Sequence, residues 1–181
     1  MSDEIKIRWA EARDVVAMVR VINVAFRAAE SFFIERDRID AETLQAMLDR
    51  GNFLLAEEAA GLAGCVLVEL RGERAYFGLL AVDPARQHRG LGRRLVEEAE
   101  NHARAFGCGA MDIRIVSLRA ELPPFYRRLG YAETGTAPFP DGIKSKLPCH
   151  FILMSKPLTL RERLRSGGNT RLGETRMRGV P

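Results

Sequence analysis

The feature that most constrains the fold of this chain is a glycine loop between an apolar run and a helical pattern. The apolar run 75–82 leads into the stretch 82–96, which reads VDPARQHRGLGRRLV. From Leu91 onward, apolar residues keep the spacing of one helix face. The first N–H groups of a helix lack partners and carry the positive end of its dipole, and Gly90 and Gly92 let a ligand approach the main chain. This strand–loop–helix therefore predicts an anion site, most naturally for phosphate.

The remaining periodicity predicts a mixed sheet with helices on its faces. Alternating or continuous apolar residues indicate strands at 5–10, 52–58, 62–70, 75–82, 110–117, 131–136 and 149–158. Apolar stripes with cap or stop residues predict helices within 15–26, 40–51, 91–106 and 123–129. A chain of 181 residues suits one domain and is long enough to bury a substantial core.

Composition narrows the class of protein. The chain is 46% hydrophobic and 29% charged, as in globular proteins that dissolve in water. No apolar run approaches the roughly 20 residues that a membrane helix needs, and the N-terminal residues lack the apolar core of a secretory signal. Cys65, Cys108 and Cys149 show no CxxC spacing, so we expect neither a disulfide framework nor a zinc site. These features predict a cytoplasmic protein with no membrane partner.

The positive charge is concentrated at the C-terminal end. The net charge is +4, and residues 159–181 hold six arginines against two glutamates, so residues 1–158 are neutral overall. This division predicts a domain over 1–158 and a basic tail over 159–181, and the tail is expected to be disordered because it has little to bury. Within the domain, the clearest basic stretch is the glycine loop, with Arg86, Arg89, Arg93 and Arg94.

Two well-known phosphate-binding motifs do not fit the glycine loop. The dinucleotide fingerprint GxGxxG needs Gly or Ala where Leu95 stands, and the P-loop needs Lys and then Ser or Thr after Gly92. What remains is Gln87-x-x-Gly90-x-Gly92. Here the chain resembles the GNAT superfamily of N-acetyltransferases, whose pyrophosphate-binding signature is Arg/Gln-x-x-Gly-x-Gly/Ala between a core strand and a helix.

Three further segments strengthen the resemblance. Residues 80–84, LAVDP, are similar to the L-x-V-x-P lead-in of the family. Gly78 interrupts the strand, which suggests a bulge or a close backbone approach, and the family has a bulge in this strand. Residues 124–131, PFYRRLGY, are similar to the family's Tyr-x-x-x-Gly-Phe/Tyr segment. Over about residues 5–158, the resemblance implies an α/β (mixed α+β) fold: a twisted, mostly antiparallel mixed sheet of about six to seven strands flanked by about four helices.

The resemblance also implies that acetyl-CoA is the co-substrate, with no metal. The pyrophosphate is then held by backbone amides of the glycine loop, and the acetyl group and pantetheine arm lie along the bulged strand. The chain departs from the family at Arg119 and Leu122, where many members have Asn and Ala. The residues assigned to acetyl-CoA are Leu80, Ala81, Val82, Gln87, His88, Arg89, Gly90, Leu91, Gly92, Arg93, Arg119 and Tyr126.

Acetyl transfer from a thioester to an amine needs a neutral amine and a proton for the leaving thiolate. An alkyl amine with a pKa of about 10 is mostly protonated at neutral pH, so a base must take its proton directly or through water. The resemblance makes Tyr126 the general acid, and plain packing on a short helix is its alternative role. Tyr76 stands where some members carry a glutamate base, so Glu69 or Glu73, on the neighbouring strand and its turn, are the candidate bases.

We expect the amine to attack bound acetyl-CoA directly, in a ternary complex, rather than through an acyl-enzyme. Cys149 and His150 are adjacent in a predicted strand, so their side chains point to opposite faces and do not form a nucleophilic pair by themselves.

The acceptor is expected to be a primary amine on a small molecule or a peptide, bound by the variable loops. Glu30 is a candidate contact to a cationic acceptor. These loops are the segment with Phe32 and Phe33, which form either an amphipathic lid or a cap on the core, and the connection 139–146 between the last strands. The candidate acceptor-site residues are Glu30, Phe32, Phe33, Tyr76 and Phe139. A homodimer is compatible with the sequence.

Two other functions stay open at this point. The absence of a recognisable base leaves open a sensor that binds acetyl-CoA without turnover. The basic loop and tail leave open a nucleic-acid-associated protein, although the aromatic-rich sheet signature of an RNA-binding domain is absent from the sequence.

Overall fold

The computed structural model describes residues 5–158 and contains a seven-stranded sheet in the order β1-β2-β3-β4-β5-β7-β6. The strands are β1 (Lys6–Trp9), β2 (Asn52–Glu58), β3 (Gly61–Arg71), β4 (Arg74–Val82), β5 (Ala110–Val116), β6 (Ala132–Pro138) and β7 (His150–Pro157). The α-helices of this part of the chain are α1 (Val15–Glu30), α2 (Ala41–Leu48), α3 (Leu91–Ala105) and α4 (Leu122–Arg128), and two short 3₁₀ turns cover Ala12–Asp14 and Pro84–Arg86.

The sheet is mixed and mostly antiparallel. Every pair of neighbouring strands runs antiparallel except β4 and β5, which are parallel and joined through α3. The fold class predicted from the sequence is therefore confirmed, including the number of strands and helices. The prediction of a disordered tail over 159–181 lies outside the described residues.

The two faces of the sheet are covered by different helices. On one face, α3 and α4 pack on Val66, Phe77 and Met111, which are almost fully buried. On the other face, α1 and α2 pack on Phe53 and Leu67. The alternation of inward side chains along β2, β3 and β4 supplies both clusters, because successive residues of a strand point to opposite faces.

A buried ion cluster fixes α3 against the last strands. Glu100 on α3 is only 2% exposed. Its carboxylate accepts hydrogen bonds from Lys156 Nζ (2.7 and 2.8 Å), Arg104 (3.0 Å) and Tyr131 Oη (2.9 Å). Because two cations and a hydroxyl share one carboxylate, the charge is compensated despite its burial.

The sheet opens at its parallel pair. Residues of β4 and β5 pair at Arg74–Ala110, Ala75–Met111 and Tyr76–Asp112. Beyond Tyr76 and Asp112 the two strands do not pair, although both are described in full. We call this unpaired region between β4 and β5 the open seam, and the candidate site is built around it.

Candidate functional site

A cleft of about 620 Å³ lies where the open seam meets α3, α4 and the end of α1. Most of the residues that the sequence assigns to acetyl-CoA line it: Leu80, Val82, Gln87, His88, Gly90, Leu91, Gly92, Arg93 and Arg119. Three others do not. The Ala81 side chain is buried on the α1 face of the sheet, Arg89 turns toward Glu58, and Tyr126 is buried in the core beside the cleft.

One wall of the cleft is a β-bulge in β4. Cys65 pairs with Ala81 and Leu67 pairs with Gly78, so Leu79 and Leu80 both lie opposite Val66. Leu79 has a φ of +47°, which is uncommon for a residue with a side chain. A bulge leaves its extra residue out of the hydrogen-bond ladder, so backbone groups next to Leu80 are free to meet a ligand. The bulge predicted from Gly78 is confirmed, one residue further along the strand.

Gly78 has a separate role in this wall. A Cβ at this position would lie 2.7 Å from the Tyr76 hydroxyl oxygen. The absence of a side chain at Gly78 therefore makes room for the Tyr76 ring, which extends along β4 toward Gly78. The guanidinium of Arg71 stacks over the Tyr76 ring, with its carbon 4.2 Å from the ring centre.

The mouth of the cleft is the N-terminus of α3. Gly90 is the residue before the helix and has φ +78° and ψ +3°, a left-handed conformation that favours glycine. The loop before it begins with the 3₁₀ turn Pro84–Arg86 and is held at Gln87, whose side-chain N–H donates to the Val82 carbonyl (3.1 Å). The unpaired N–H groups at the start of α3, with the positive end of the helix dipole, therefore face the cleft.

Two of the loop arginines are held by the β2–β3 hairpin. Arg86 donates to the carbonyls of Gly61 (2.9 Å) and Ala60 (3.2 Å). Glu58, whose side chain is 5% exposed, lies 3.1 Å from Arg89 and 3.8 Å from Arg86. These contacts fix the loop to the sheet.

Tyr126, on α4, lies in the core beside the cleft, in the cluster that packs under α3 and α4. It is 6% exposed, and its ring packs against Phe77, Phe125 and Tyr131. Burial raises the pKa of its hydroxyl well above the ordinary value, with Arg119 opposing this and Tyr76 adding to it. The hydroxyl donates and accepts no hydrogen bond among the described residues. It is therefore a protonated and unengaged donor.

Arg119 and Glu30 form an ion pair at the edge of the cleft. Arg119 donates to Glu30 (3.3 Å) and to Glu121 (2.6 Å). Glu30, at the end of α1, is 6% exposed, and burial raises its pKa while Arg38 and Arg119 oppose the shift. The structure thus brings a predicted coenzyme residue and a predicted acceptor residue into direct contact.

The two candidate bases lie in different places. Glu69 is the cross-strand partner of Tyr76 and is ion-paired with Arg71. Glu73 is exposed in the turn between β3 and β4, at the end of β4 away from the bulge. Of the two, Glu69 lies beside Tyr76. Burial raises the pKa of the Tyr76 hydroxyl, so it stays protonated at neutral pH.

The predicted aromatic residues of the acceptor side divide into core and surface. Phe33 is fully buried, in a cluster with Val116, and Phe139 packs against the same cluster through Phe151, with ring centres 5.3 Å apart. Phe32 is 53% exposed and meets the Phe33 ring edge to face at 4.7 Å. Phe33 and Phe139 thus pack in the core, while Phe32 is free to contact a ligand.

Several residues of the cleft were not identified from the sequence. They are Ala25, Ala28 and Ala29 at the end of α1, and Glu121, Leu122, Phe125 and Arg128 on and before α4. The small residues of α1 leave room for a ligand beside Leu80. The three alanines close together near the end of α1 were the sequence feature that could have indicated this wall of the cleft. Alanine is also the residue with the highest helix propensity, so the feature is not specific.

The described residues show no arrangement of three or more His, Cys, Asp or Glu side chains suited to a metal ion. Among the same residues, no helix is both long and apolar enough to span a bilayer. Burial raises the pKa of Cys65 to about 12, so this thiol stays protonated and is a poor nucleophile.

Comparison with known sequences identifies relatives of the site-bearing part of the chain. A family model, the acetyltransferase (GNAT) domain, matches residues 49–133. Blasticidin-S acetyltransferase of Streptomyces morookaense is 36% identical over 92 residues, which cover 50% of this chain and 66% of that protein. IAA acetyltransferase of Azospirillum brasilense is 30% identical over 110 residues, 59% of this chain and 67% of that protein. The chain thus spans about two thirds of the length of these curated relatives.

Solved structures share the fold at lower identity. The PaiA N-acetyltransferase of Thermoplasma acidophilum, in complex with coenzyme A, superposes with a TM-score of 0.72 at 19% identity, over 85% of this chain and 99% of that one. The ribosomal-protein-S18-alanine N-acetyltransferase of Escherichia coli gives a TM-score of 0.68 at 17% identity, over 94% and 100%.

Proposed function

Because this chain belongs to the GNAT acetyltransferase superfamily, we propose that it transfers the acetyl group of acetyl-CoA to a primary amine by direct attack in a ternary complex. The observation that carries the proposal is the coincidence of three features in one cleft. The open seam, the β4 bulge and the N-terminus of α3 all border it, and Gly90 leaves the mouth without a side chain. An anionic, elongated ligand fits this combination of a charged mouth and an apolar wall.

The coenzyme contacts follow from the placement of the residues. Backbone amides from Gln87 to Arg93 bind the pyrophosphate, with Arg89 and Arg86 positioning the loop rather than contacting the ligand. Leu80 and Val82 line the path of the pantetheine arm. Ala81 contributes only its backbone there, because its side chain points to the α1 face of the sheet. Arg119 lies at the edge of the cleft, where its ion pair with Glu30 links the coenzyme side to the acceptor side.

The chemistry proposed for this chain uses Tyr126 as the general acid. The amine nitrogen forms a bond to the acetyl carbon, the carbon–sulfur bond breaks, and the Tyr126 hydroxyl gives its proton to the leaving thiolate. The Tyr126 hydroxyl is protonated at neutral pH and has no hydrogen-bond partner in the described residues, so its proton is available to the leaving thiolate. The amine loses its proton through water to Glu69, because Glu69 is the one of the two candidate bases that lies beside Tyr76.

The acceptor side is proposed to lie on the face of the open seam that carries Tyr76. Glu30 and Phe32 border it, while Phe33 and Phe139 support it from the cluster that contains Val116. We further propose that residues 1–158 act as one domain and that the protein works in the cytoplasm. The described cysteines are free, and Cys65 and Cys108 are buried, which agrees with a reducing compartment.

Acetyl-CoA binding tests the proposal directly. Calorimetric titration of acetyl-CoA into the full chain should give saturable binding with one site, and the affinity should persist at high salt because the apolar wall and the backbone amides contribute beside the charges. A thiol-release assay with pooled primary amines should then show turnover. Binding that vanishes with salt is the behaviour of a basic surface and would contradict the proposal.

Weakening the contact between Glu58 and the loop arginines provides a second test. Replacing Glu58 by glutamine removes the carboxylate shared by Arg86 and Arg89, so the dissociation constant for acetyl-CoA should rise about tenfold, which corresponds to one lost hydrogen bond to a charged group. The matched control is Glu97→Gln, which removes the partner of Arg93 in an exposed pair and should leave the affinity unchanged. Equal affinities in both variants would show that Glu58 does not position the loop.

One observation favours a second candidate, a sensor that binds acetyl-CoA without turnover. Glu69 and Glu30 are both held by guanidinium groups, and Glu73 is remote from the bulge. A sensor would bind acetyl-CoA and release no thiol with any amine. The nucleic-acid alternative has less support, because two of the loop arginines are bound to protein groups.

A further inference from the structure

The acceptor face of the open seam carries arginine side chains that the proposed chemistry does not use. Tyr76 and Asp112 form the last pair between β4 and β5, and Arg114 lies two residues further along β5, on the same face and exposed. Arg38 approaches from the segment after α1, with its guanidinium carbon 4.9 Å from the centre of the Phe26 ring, and borders the small cavity next to Glu30. Both cations therefore flank the region of Tyr76.

The carboxylates of this face are each paired with a guanidinium, although Arg119 is shared between Glu30 and Glu121. Glu69 is paired with Arg71, Asp112 is paired with Arg74, and Glu30 is paired with Arg119. Arg38 and Arg114, by contrast, make no hydrogen bond and no ion pair within residues 5–158. Their charges also act on the Tyr76 hydroxyl, where Arg114 has the largest effect of any charged group. The face therefore has a positive excess at the place where the acceptor amine must arrive.

We propose that the acceptor carries an anionic group, a carboxylate or a phosphate, in addition to its amine, and that Arg38 and Arg114 bind this group. The proposal rests on the function proposed above, since it assigns the substrate class of the same site. A guanidinium is suited to either anion because its N–H groups match the paired oxygens of both.

The positive excess bears on the amine as well. A polyamine or another purely cationic acceptor would be repelled by these two guanidinium groups, which form no ion pair within residues 5–158.

The test uses the full chain and two matched pairs of amines as probes: phenylalanine with phenylalaninamide, and glucosamine 6-phosphate with glucosamine. The members of each pair differ in the carboxylate or in the phosphate, so the pairs separate the two sources of negative charge. Binding of each probe is measured by calorimetry, with and without saturating CoA, and kcat/KM is measured by thiol release with acetyl-CoA.

In at least one pair, the anionic member should bind at least about tenfold more tightly than its neutral partner, and Arg38→Gln and Arg114→Gln should each remove about tenfold of its affinity. Acetyl-CoA affinity should stay unchanged in both variants. The control is Arg13→Gln, which removes the same charge from a side chain that is 72% exposed and lies before α1, and it should behave as the wild-type chain.

Neutral members that bind as tightly as anionic ones in both pairs would overturn the inference, as would an anionic preference that survives in both variants. The two proposals fail separately. An intact anionic preference without thiol release would refute the transferase and leave the anion site standing. Preferred acetylation of the neutral amines would leave the transferase standing and refute the anionic acceptor.

Discussion

Replacing Tyr126 by phenylalanine lowers kcat by about two orders of magnitude, the lower end of the contribution of a general acid, if the hydroxyl protonates the leaving thiolate. The affinity for acetyl-CoA should stay the same, because the ring and its contacts with Phe77 and Phe125 are retained. The free energy of unfolding should not fall, because the Tyr126 hydroxyl makes no hydrogen bond within the described residues whose loss would destabilise the fold. Stopped-flow or steady-state thiol release and urea unfolding measure these quantities.

The matched control for this variant is Tyr131→Phe. The Tyr131 hydroxyl donates to the buried carboxylate of Glu100, so its loss should lower the free energy of unfolding by about 2 kcal/mol. Its kcat should stay within about twofold of the wild-type value, because a loss of packing or stability alone does not remove a proton donor. Unchanged turnover in Tyr126→Phe would remove Tyr126 from the mechanism and reduce it to a packing residue.

Replacing Gly90 by valine should raise the dissociation constant of acetyl-CoA at least about a hundredfold, an estimate that combines a strained left-handed residue with the loss of several amide contacts at the mouth of the cleft. No atom lies within 4 Å of the position that the new Cβ would take, so the effect arises from the φ of +78° and not from a clash within the protein. Calorimetry at moderate salt measures the affinity.

Gly107 provides the control for this backbone effect. It follows the other end of α3 with a φ of +81°, and a Cβ there also meets nothing within 4 Å. Gly107→Val should therefore lower the free energy of unfolding by about 2 kcal/mol, as Gly90→Val does, but leave acetyl-CoA affinity unchanged. If the two variants lose affinity equally, the loss reflects stability and the α3 N-terminus is not the anion site.

Local periodicity predicted most of the fold. Most strands alternate or are continuously apolar, and the long helices carry an apolar stripe, so the burial of one face determines the type of element; β6, which is exposed almost throughout, is the exception. The ends of the elements were less well predicted. The strand predicted at 131–136 runs over Ala132–Pro138, and the 3₁₀ turns Ala12–Asp14 and Pro84–Arg86 were not predicted, since short turns have no periodic signal.

The candidate site was predictable where it depends on the main chain. The glycine loop and the bulge are local features, and glycines indicate both. The side-chain contacts were not predictable, because they join segments that are distant in sequence. Arg119 and Glu30 are 89 residues apart, and the position of Arg38 depends on how the segment after α1 packs on Phe26. Neither Arg38 nor Arg114 has a sequence neighbour that distinguishes it from a surface arginine.

The early end of the pairing between β4 and β5 has a consequence for the mechanics of the domain. The ladder joining β1–β4 to β5–β7 ends at Tyr76–Asp112, so beyond this pair the two half-sheets are held together by helix packing and by the Glu100 ion cluster rather than by strand pairing. A ligand that lies in the open seam and contacts both β4 and β5 links the two half-sheets where the strands do not pair. Coenzyme binding would then make the two halves unfold as a single cooperative unit, and the amide protons of the second half of β4 would exchange with solvent at the rate of global unfolding rather than of local opening.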